Sequence, residues 1–430
     1  MTPGARVAAA IEVLGEVESL RRPAADALKD WGLSHRFAGS KDRAGVAALV
    51  YDALRRRASA AFVMDDASPR GVLLGALKLS RGLALAEAGA LFSGEGHAPA
   101  PLSEPERARF SSATLDGAPA PVAGDFPDWL EPSLRAAFGE RVVEETAALA
   151  GRAPLDLRVN TLKFSREKAL ANLKRLGAAP TPLAPSGLRV PFGADGRAVS
   201  LSGEPDYLKG RVEIQDEGSQ LAALLCAARP GEQVLDLCAG GGGKTLALAA
   251  QMENRGQIYA HDDDARRLGP IHARLERAGA RNVQARTPRR GADALADLAG
   301  RCDLVLIDAP CTGVGAWRRN PDAKWRMRPS ALAQRVAEQD ELLAGAARFL
   351  KPQGRLVYVT CSLLPEENEA RAQAFLGAHA EFRALEAQDM AAAAGLPELA
   401  RFASTLGPGL RFSPATSGTD GFYVVGLARG

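Results

Sequence analysis

Residues 233–251 read QVLDLCAGGGGKTLALAAQ: a short apolar strand, a run of four glycines and an Ala/Leu helix, with nothing between them. Such a stretch presents bare backbone N–H groups to a ligand from a helix N-terminus. Outward from it lie further short apolar segments, QIYAHD (257–262), DLVLID (303–308), GRLVYVTC (354–361) and FYVVGLA (422–428), separated by helical patterns. Strands alternating with helices predict an α/β domain, a doubly wound, mostly parallel sheet over 206–430, with ligands bound beyond the strand C-termini.

The text upstream differs. Residues 1–92 carry apolar spacing of helical type, as in RVAAAIEVLGEVESL and DRAGVAALVYDALRRR, and predict an all-helical domain. Residues 93–127 turn to Gly, Pro, Ala and Ser and read as a linker. From 128 to 205 a small α/β module is expected, with a strand at LDLRVN (Leu155–Asn160) and a helix capped by Ser165.

A chain of 430 residues has room for two or three domains, and 46% hydrophobic with 24% charged residues is ordinary globular composition. With 54 basic against 51 acidic residues, net +3, any basic surface is local. Only ten of the basic residues are lysine. No uncharged apolar run approaches the ~18 residues of a membrane span. The N-terminal stretch, broken by Glu12, Glu16 and Glu18, reads as an amphipathic helix and not a signal peptide, so a cytoplasmic protein without membrane association is expected. The cysteines at 226, 238, 302, 311 and 361 form no CxxC pair and no group with histidines, which argues against zinc, other metal sites and a disulfide framework.

Three ligands compete for the glycine loop. A P-loop requires a glycine where Cys238 stands, although Gly243, Lys244 and Thr245 match its end, and LVLID closing at Asp308 imitates a Walker B strand; a nucleotide hydrolase therefore stays open. In a dinucleotide fingerprint the third glycine falls on Thr245 or Leu246. S-adenosylmethionine fits better. Its ribose asks for a carboxylate at the end of the next strand, and Asp262 follows Gly243 by 19 residues, near the ~20-residue offset of this topology. The expected cofactor site is Cys238, Ala239, Gly240, Gly241, Gly242, Gly243, Lys244, Asp262 and Asp308. His261, just before that acid, reads as strand packing.

Cys311 and Cys361 each follow a strand, on the edge where ligands bind. Carbon 5 of cytosine is a poor nucleophile, but a thiolate added to carbon 6 yields an enamine able to attack a sulfonium methyl. The carbon-5 proton must then leave and the thiol be eliminated, which gives a second cysteine work as base or release group. Asp308, two residues before Pro310, is placed to hydrogen-bond the base edge.

DLCAGGGGKT, DAPCTGVG, RRNPDAKW, YVTCSLLPEENE and GTDGFYVV, in this order, resemble the Nop/Sun family of RNA (cytosine-5) methyltransferases from about Leu155 to Leu427. RVNTL (158–162) and VEIQDEGSQL (212–221) resemble the family's segments before the cofactor loop. The resemblance implies a Rossmann-like class I methyltransferase domain using S-adenosylmethionine; the α/β module before it is expected to be RRM-like by fold analogy, from the LRVN strand and its following helix. It places the nucleophile at Cys361 and the release role at Cys311. Chemistry alone leaves the order open, because DNA cytosine-5 methyltransferases attack with the cysteine of a Pro-Cys pair. The helical first region is similar to the NusB-like domain of the bacterial Sun (RsmB-like) branch, which implies RNA as partner and 5-methylcytosine in small-subunit (16S) rRNA as product, tRNA being the alternative. A monomer is expected. A non-catalytic RNA-binding assembly factor is the reading from another class.

Two departures stand out. Gly241 replaces the proline usual in the family's loop, and NVQARTPRR lacks the acid expected near the adenine, Arg286 or Thr287 standing there instead. In WRRNPDAKWRMR, Arg318, Arg319, Lys324, Arg326 and Arg328 are expected to track phosphates while Trp317 or Trp325 stacks on a base.

Overall fold

The computed structural model describes residues 1–192, 199–288 and 293–430. It divides into two compact units, Met1–Arg152 with Trp317–Arg328, and Ala153–Ala316 with Pro329–Gly430.

The first unit is helical. Pro3–Leu20 starts at a Thr2 cap, whose Oγ1 accepts from the Ala5 N–H at 3.2 Å, and Pro69–Arg81 starts at Ser68. Small residues let helices touch: a Cβ at Gly75 would lie 2.4 Å from the Ala60 carbonyl oxygen, so Arg57–Met64 and Pro69–Arg81 meet backbone to backbone. The stretch 93–127, expected to be a linker, is part of this unit. Ser103 and Glu106 form a capping box at the helix Glu104–Ser112, and Leu102 and Phe110 are buried in the helical core. Asp125, also buried, accepts from the N–H groups of Ala58 and Ser59 at 3.0 Å each. Pro and Gly interrupt periodicity there and much of 93–120 is exposed; a few widely spaced large residues anchor it. The helices Glu131–Phe138 and Val142–Ala150 group with this unit, ahead of the first strand at Leu155.

The segment Trp317–Arg328 belongs to this helical unit too. Trp317 and Lys324 are each 1% exposed, and Arg318 is buried. Lys324 Nζ donates to the carbonyls of Arg55 (2.9 Å) and Asp125 (2.7 Å), and Trp325 Nε1 donates to that of Leu54 (2.6 Å). The expectation that Trp317, Arg318 and Lys324 face RNA is therefore corrected: they pack inward, while Arg319, Arg326 and Arg328 stay exposed.

The second unit opens with a small antiparallel sheet of β1 (Leu155–Val159), β2 (Ala179–Pro180), β3 (Gly187–Val190) and β4 (Val212–Ile214), in the order β2-β3-β1-β4. Ser165 caps the helix Arg166–Leu173 that covers it. A larger sheet follows, of β5 (Gln233–Asp236), β6 (Gln257–His261), β7 (Val283–Arg286), β8 (Cys302–Asp308), β9 (Leu350–Thr360), β10 (Phe382–Ala384), β11 (Leu410–Phe412) and β12 (Phe422–Arg429). Its order is β10-β12-β9-β8-β5-β6-β7, with β11 on β12. The pairs among β5 to β9 are parallel, and β12 runs antiparallel to β9. This is a Rossmann-like fold. Its parallel strands are apolar on both faces, as helices on both sides require. Asp236 pairs with Ala260 and Leu306, and Asp308 with Val359, so β5, β6, β8 and β9 end along one edge. No helix among the described residues is long and apolar enough to cross a membrane.

Candidate active site

That edge holds a cavity of about 990 Å³, at the top of the range of roughly 300–1,000 Å³ usual for small-molecule sites. Cys238, Ala239, Gly240, Gly241, Gly243, Lys244, Asp262, Asp308, Cys311 and Cys361 all line it. Gly242 does not. It caps the helix Gly243–Gln251 at φ +82°, and a Cβ there would meet Ile271 at 2.6 Å, so this glycine serves packing.

Asp262 directly follows β6 and is buried. Its Oδ2 accepts from the Gly240 N–H at 3.1 Å and its Oδ1 from the Asp264 N–H at 2.9 Å, which ties the glycine loop to the acid. The carboxylate keeps acceptor capacity toward the cavity, as a ribose diol requires. Under the loop, Asp236 Oδ2 accepts from Thr245 Oγ1 at 2.6 Å while Oδ1 is buried without a partner. Burial, opposed by the Thr245 bond, pushes this carboxyl up to about 7.

Lys244 leaves the loop to pair with Asp308, Nζ to Oδ2 2.7 Å, and lies 5.2 Å from the Phe422 ring centroid. Burial works against the ammonium, but the ion pair with Asp308 outweighs it and raises the lysine. Phe422 belongs to GTDGFYVV, whose contact with this lysine the sequence alone did not disclose.

Cys311 Sγ and Cys361 Sγ are 3.2 Å apart. The hydrogen bond with Cys361, then burial, hold the Cys311 thiol well above the ordinary range. Cys226 and Cys302 lie in the core, pushed up by burial to about 12 and about 11, as inert packing thiols.

An acid does reach the cavity beyond β7. Asp293 lines it, with Oδ1 accepting from the Leu295 N–H at 2.9 Å and Oδ2 from Arg348 Nη2 at 2.8 Å. Arg286 instead turns to Asp297 (2.8 Å) and the Tyr259 ring. This acid comes from farther along the chain, where a fixed offset from the strand does not look. Gln215 and Ser219, from VEIQDEGSQL, also line the cavity, joined Nε2 to Oγ at 3.1 Å. His261 borders it, its Nδ1 2.6 Å from the Arg286 carbonyl oxygen, in keeping with a packing role.

A glycine-lined loop entering a helix, an acid closing the next strand and an antiparallel last strand beside β9 define a class I S-adenosylmethionine-dependent methyltransferase. Residues 223–428 match the family model described as 16S rRNA methyltransferase RsmB/F, and residues 126–194 match the RsmF/B-like ferredoxin-like domain. Ribosomal RNA small subunit methyltransferase B of Xanthomonas campestris is 33% identical over 409 residues, covering 90% of this chain and 89% of that protein. A probable ribosomal RNA small subunit methyltransferase B of Synechocystis is 34% identical over 261 residues, covering 60% of this chain and only 58% of the relative. The crystal structure of PH0851 superposes with a TM-score of 0.72 at 25% identity over 99% of both chains. The chain belongs to the RsmB/F family of methyltransferases.

Proposed function

We propose that this enzyme forms 5-methylcytosine in small-subunit rRNA through a covalent bond between Cys361 and carbon 6 of the target cytosine. One observation carries the reading: the two thiols, 3.2 Å apart, stand together at the cavity lined by the glycine loop. Bound there, S-adenosylmethionine supplies an electrophilic sulfonium methyl. Cys361 adds to carbon 6 and makes carbon 5 nucleophilic. Asp308 meets the base edge, and Lys244, paired with it, fixes its orientation. Cys311 assists loss of the carbon-5 proton and departure of Cys361. The target base leaves any stack to reach the cavity, and the exposed Arg319, Arg326 and Arg328 of the helical unit supply cationic surface for RNA phosphates.

The two roles fail in opposite ways. Cys361→Ala abolishes both methylation and adduct, whereas Cys311→Ala transfers methyl and then stalls as a protein–RNA conjugate stable to denaturing electrophoresis. Trapping by Cys361→Ala alone would reverse the assignment, and two active variants would refute the chemistry. Bisulfite sequencing of rRNA and tRNA with and without the gene identifies the substrate; a site lost only from tRNA would overturn the rRNA assignment.

A further inference from the structure

Two consecutive residues after Cys361 reach in different directions. Glu367, fully buried, accepts from the Thr312 N–H through Oε1 (2.8 Å) and from Thr312 Oγ1 through Oε2 (2.5 Å). Gln339, buried as well, donates from Nε2 to Glu367 Oε1 (3.1 Å) and to the Pro310 carbonyl (2.9 Å). These side-chain bonds of Glu367 serve the loop around Cys311. Asn368 works on the other cysteine: its Oδ1 accepts from Thr360 Oγ1 (2.5 Å) and its Nδ2 donates to the Ser362 carbonyl (3.0 Å), the residues on either side of Cys361. The main chain adds a cross-tie, with the Gly315 N–H donating to the Cys361 carbonyl at 2.9 Å.

We propose that Glu367 and Asn368 are positioning residues, each bracketing one cysteine loop, and that their adjacency in the chain sets the separation of the two thiols. The roles of the cysteines are those proposed above; the bracketing itself is read from geometry. A carboxylate buried among neutral donors is costlier than an amide of the same shape, so packing alone does not account for Glu367. Because both brackets spring from one turn, displacement of that turn carries the two loops together and preserves their spacing.

The test uses the full-length enzyme and two readouts. The first is the rate at which diamide couples Cys311 to Cys361, the two thiol hydrogens passing to the azo group, followed by peptide mapping. Glu367→Ala and Asn368→Ala each slow this coupling about tenfold, the equivalent of one net hydrogen bond. Unchanged coupling in both folded variants overturns the proposal. Second is the partition between conjugate and methylated product. Glu367→Ala frees the release cysteine and accumulates protein–RNA conjugate; Asn368→Ala frees the nucleophile and lowers conjugate and product alike. Equal loss at both steps in both variants would mark a merely structural role and also overturn it. Slowed coupling with the partition split the opposite way, conjugate accumulating in Asn368→Ala instead of Glu367→Ala, upholds the brackets and overturns the cysteine roles instead. Should Glu367→Ala fail to fold, Glu367→Gln keeps its length and one acceptor, and Thr312→Val removes the hydroxyl bond from the opposite side; unaltered coupling in those two counts equally against the proposal.

Discussion

Asp262→Asn is the most informative single change at the cofactor end of the cavity. A carboxylate offers about four lone-pair sites. Two are taken by the Gly240 and Asp264 N–H groups at 3.1 and 2.9 Å, Arg267 Nε lies 3.6 Å from Oδ1, and remaining capacity is open to the ribose hydroxyls. The amide keeps one acceptor oxygen and turns two donors toward groups that also donate, so it cannot serve both backbone N–H groups and a diol. Hydrogen bonds to a charged acceptor contribute about 1.5–3 kcal/mol each, so loss of one toward the ligand weakens S-adenosylmethionine binding about 10–100-fold. Loss of a backbone partner costs a further ~1–3 kcal/mol of stability, at about 2–4 °C in Tm per kcal/mol for a domain of this size. Weaker binding alone would not separate ribose recognition from slackening of the loop through Gly240. Isothermal titration with adenosine and 2′,3′-dideoxyadenosine does. In the wild type the dideoxy compound binds more weakly; in the variant the difference disappears. A variant that still distinguishes the two nucleosides as the wild type does would show that Asp262 is not the partner of the hydroxyls.

Other perturbations probe the buried charges and the helical unit. Asp236, held at about 7 by burial, binds a proton more tightly folded than unfolded, so its ionisation subtracts stability as pH rises from ~4 to ~7. Asp236→Asn should therefore stabilise the protein by at most about 4 kcal/mol at pH 8 and by nothing near pH 4, as read by urea melts; a gain independent of pH would refute this. For Lys324 burial lowers the ammonium to about 7, the opposite case: the unfolded chain holds the proton more tightly, so stability rises as pH climbs from ~7 to ~10. Lys324→Met should flatten that rise in a thermal-melt series, and an unchanged slope would relocate its source. Deleting residues 1–92 removes the Leu54 and Arg55 carbonyls that hold Trp325 and Lys324. Limited proteolysis should then cut within 317–328, and a protease-resistant segment would contradict the anchoring described above.

The parts of the site that were legible in the sequence are those where backbone geometry dictates residue type. Four glycines between a strand and a helix admit few other uses, and an acid about twenty residues on must close the next strand because one helix and one strand take up that length. Cys311 and Cys361 were placed by the same rule, three residues past β8 and one past β9. Asp293 escaped because it reaches the cavity from a connection of no fixed length, where the acid's sequence distance from β7 carries no signal. Gly242 was assigned to the ligand because glycine serves equally well for a ligand and for a neighbouring side chain, here Ile271.

The segment WRRNPDAKWRMR shows a deeper ambiguity. RNA phosphates call for cationic donors with an aromatic face nearby, and so does the C-terminus of a helix, whose last carbonyls lack partners within the helix. Ser40–Arg55 ends in such carbonyls, and two of them, Leu54 and Arg55, receive the Trp325 indole N–H and the Lys324 ammonium. The donors come from 271 and 269 residues away in the chain, so no local capping pattern announces them. Composition therefore could not tell a phosphate-binding strip from a remote helix cap. What separates them is the alternation within the segment: the residues at 317, 318 and 324 are buried, while Arg319, Arg326 and Arg328 are exposed. One short peptide thus caps a helix with one set of side chains and leaves the remaining arginines exposed, Arg326 paired with Asp322 at 3.0 Å, and substitutions in the two sets should separate, stability following Lys324 and salt-dependent RNA affinity following Arg328.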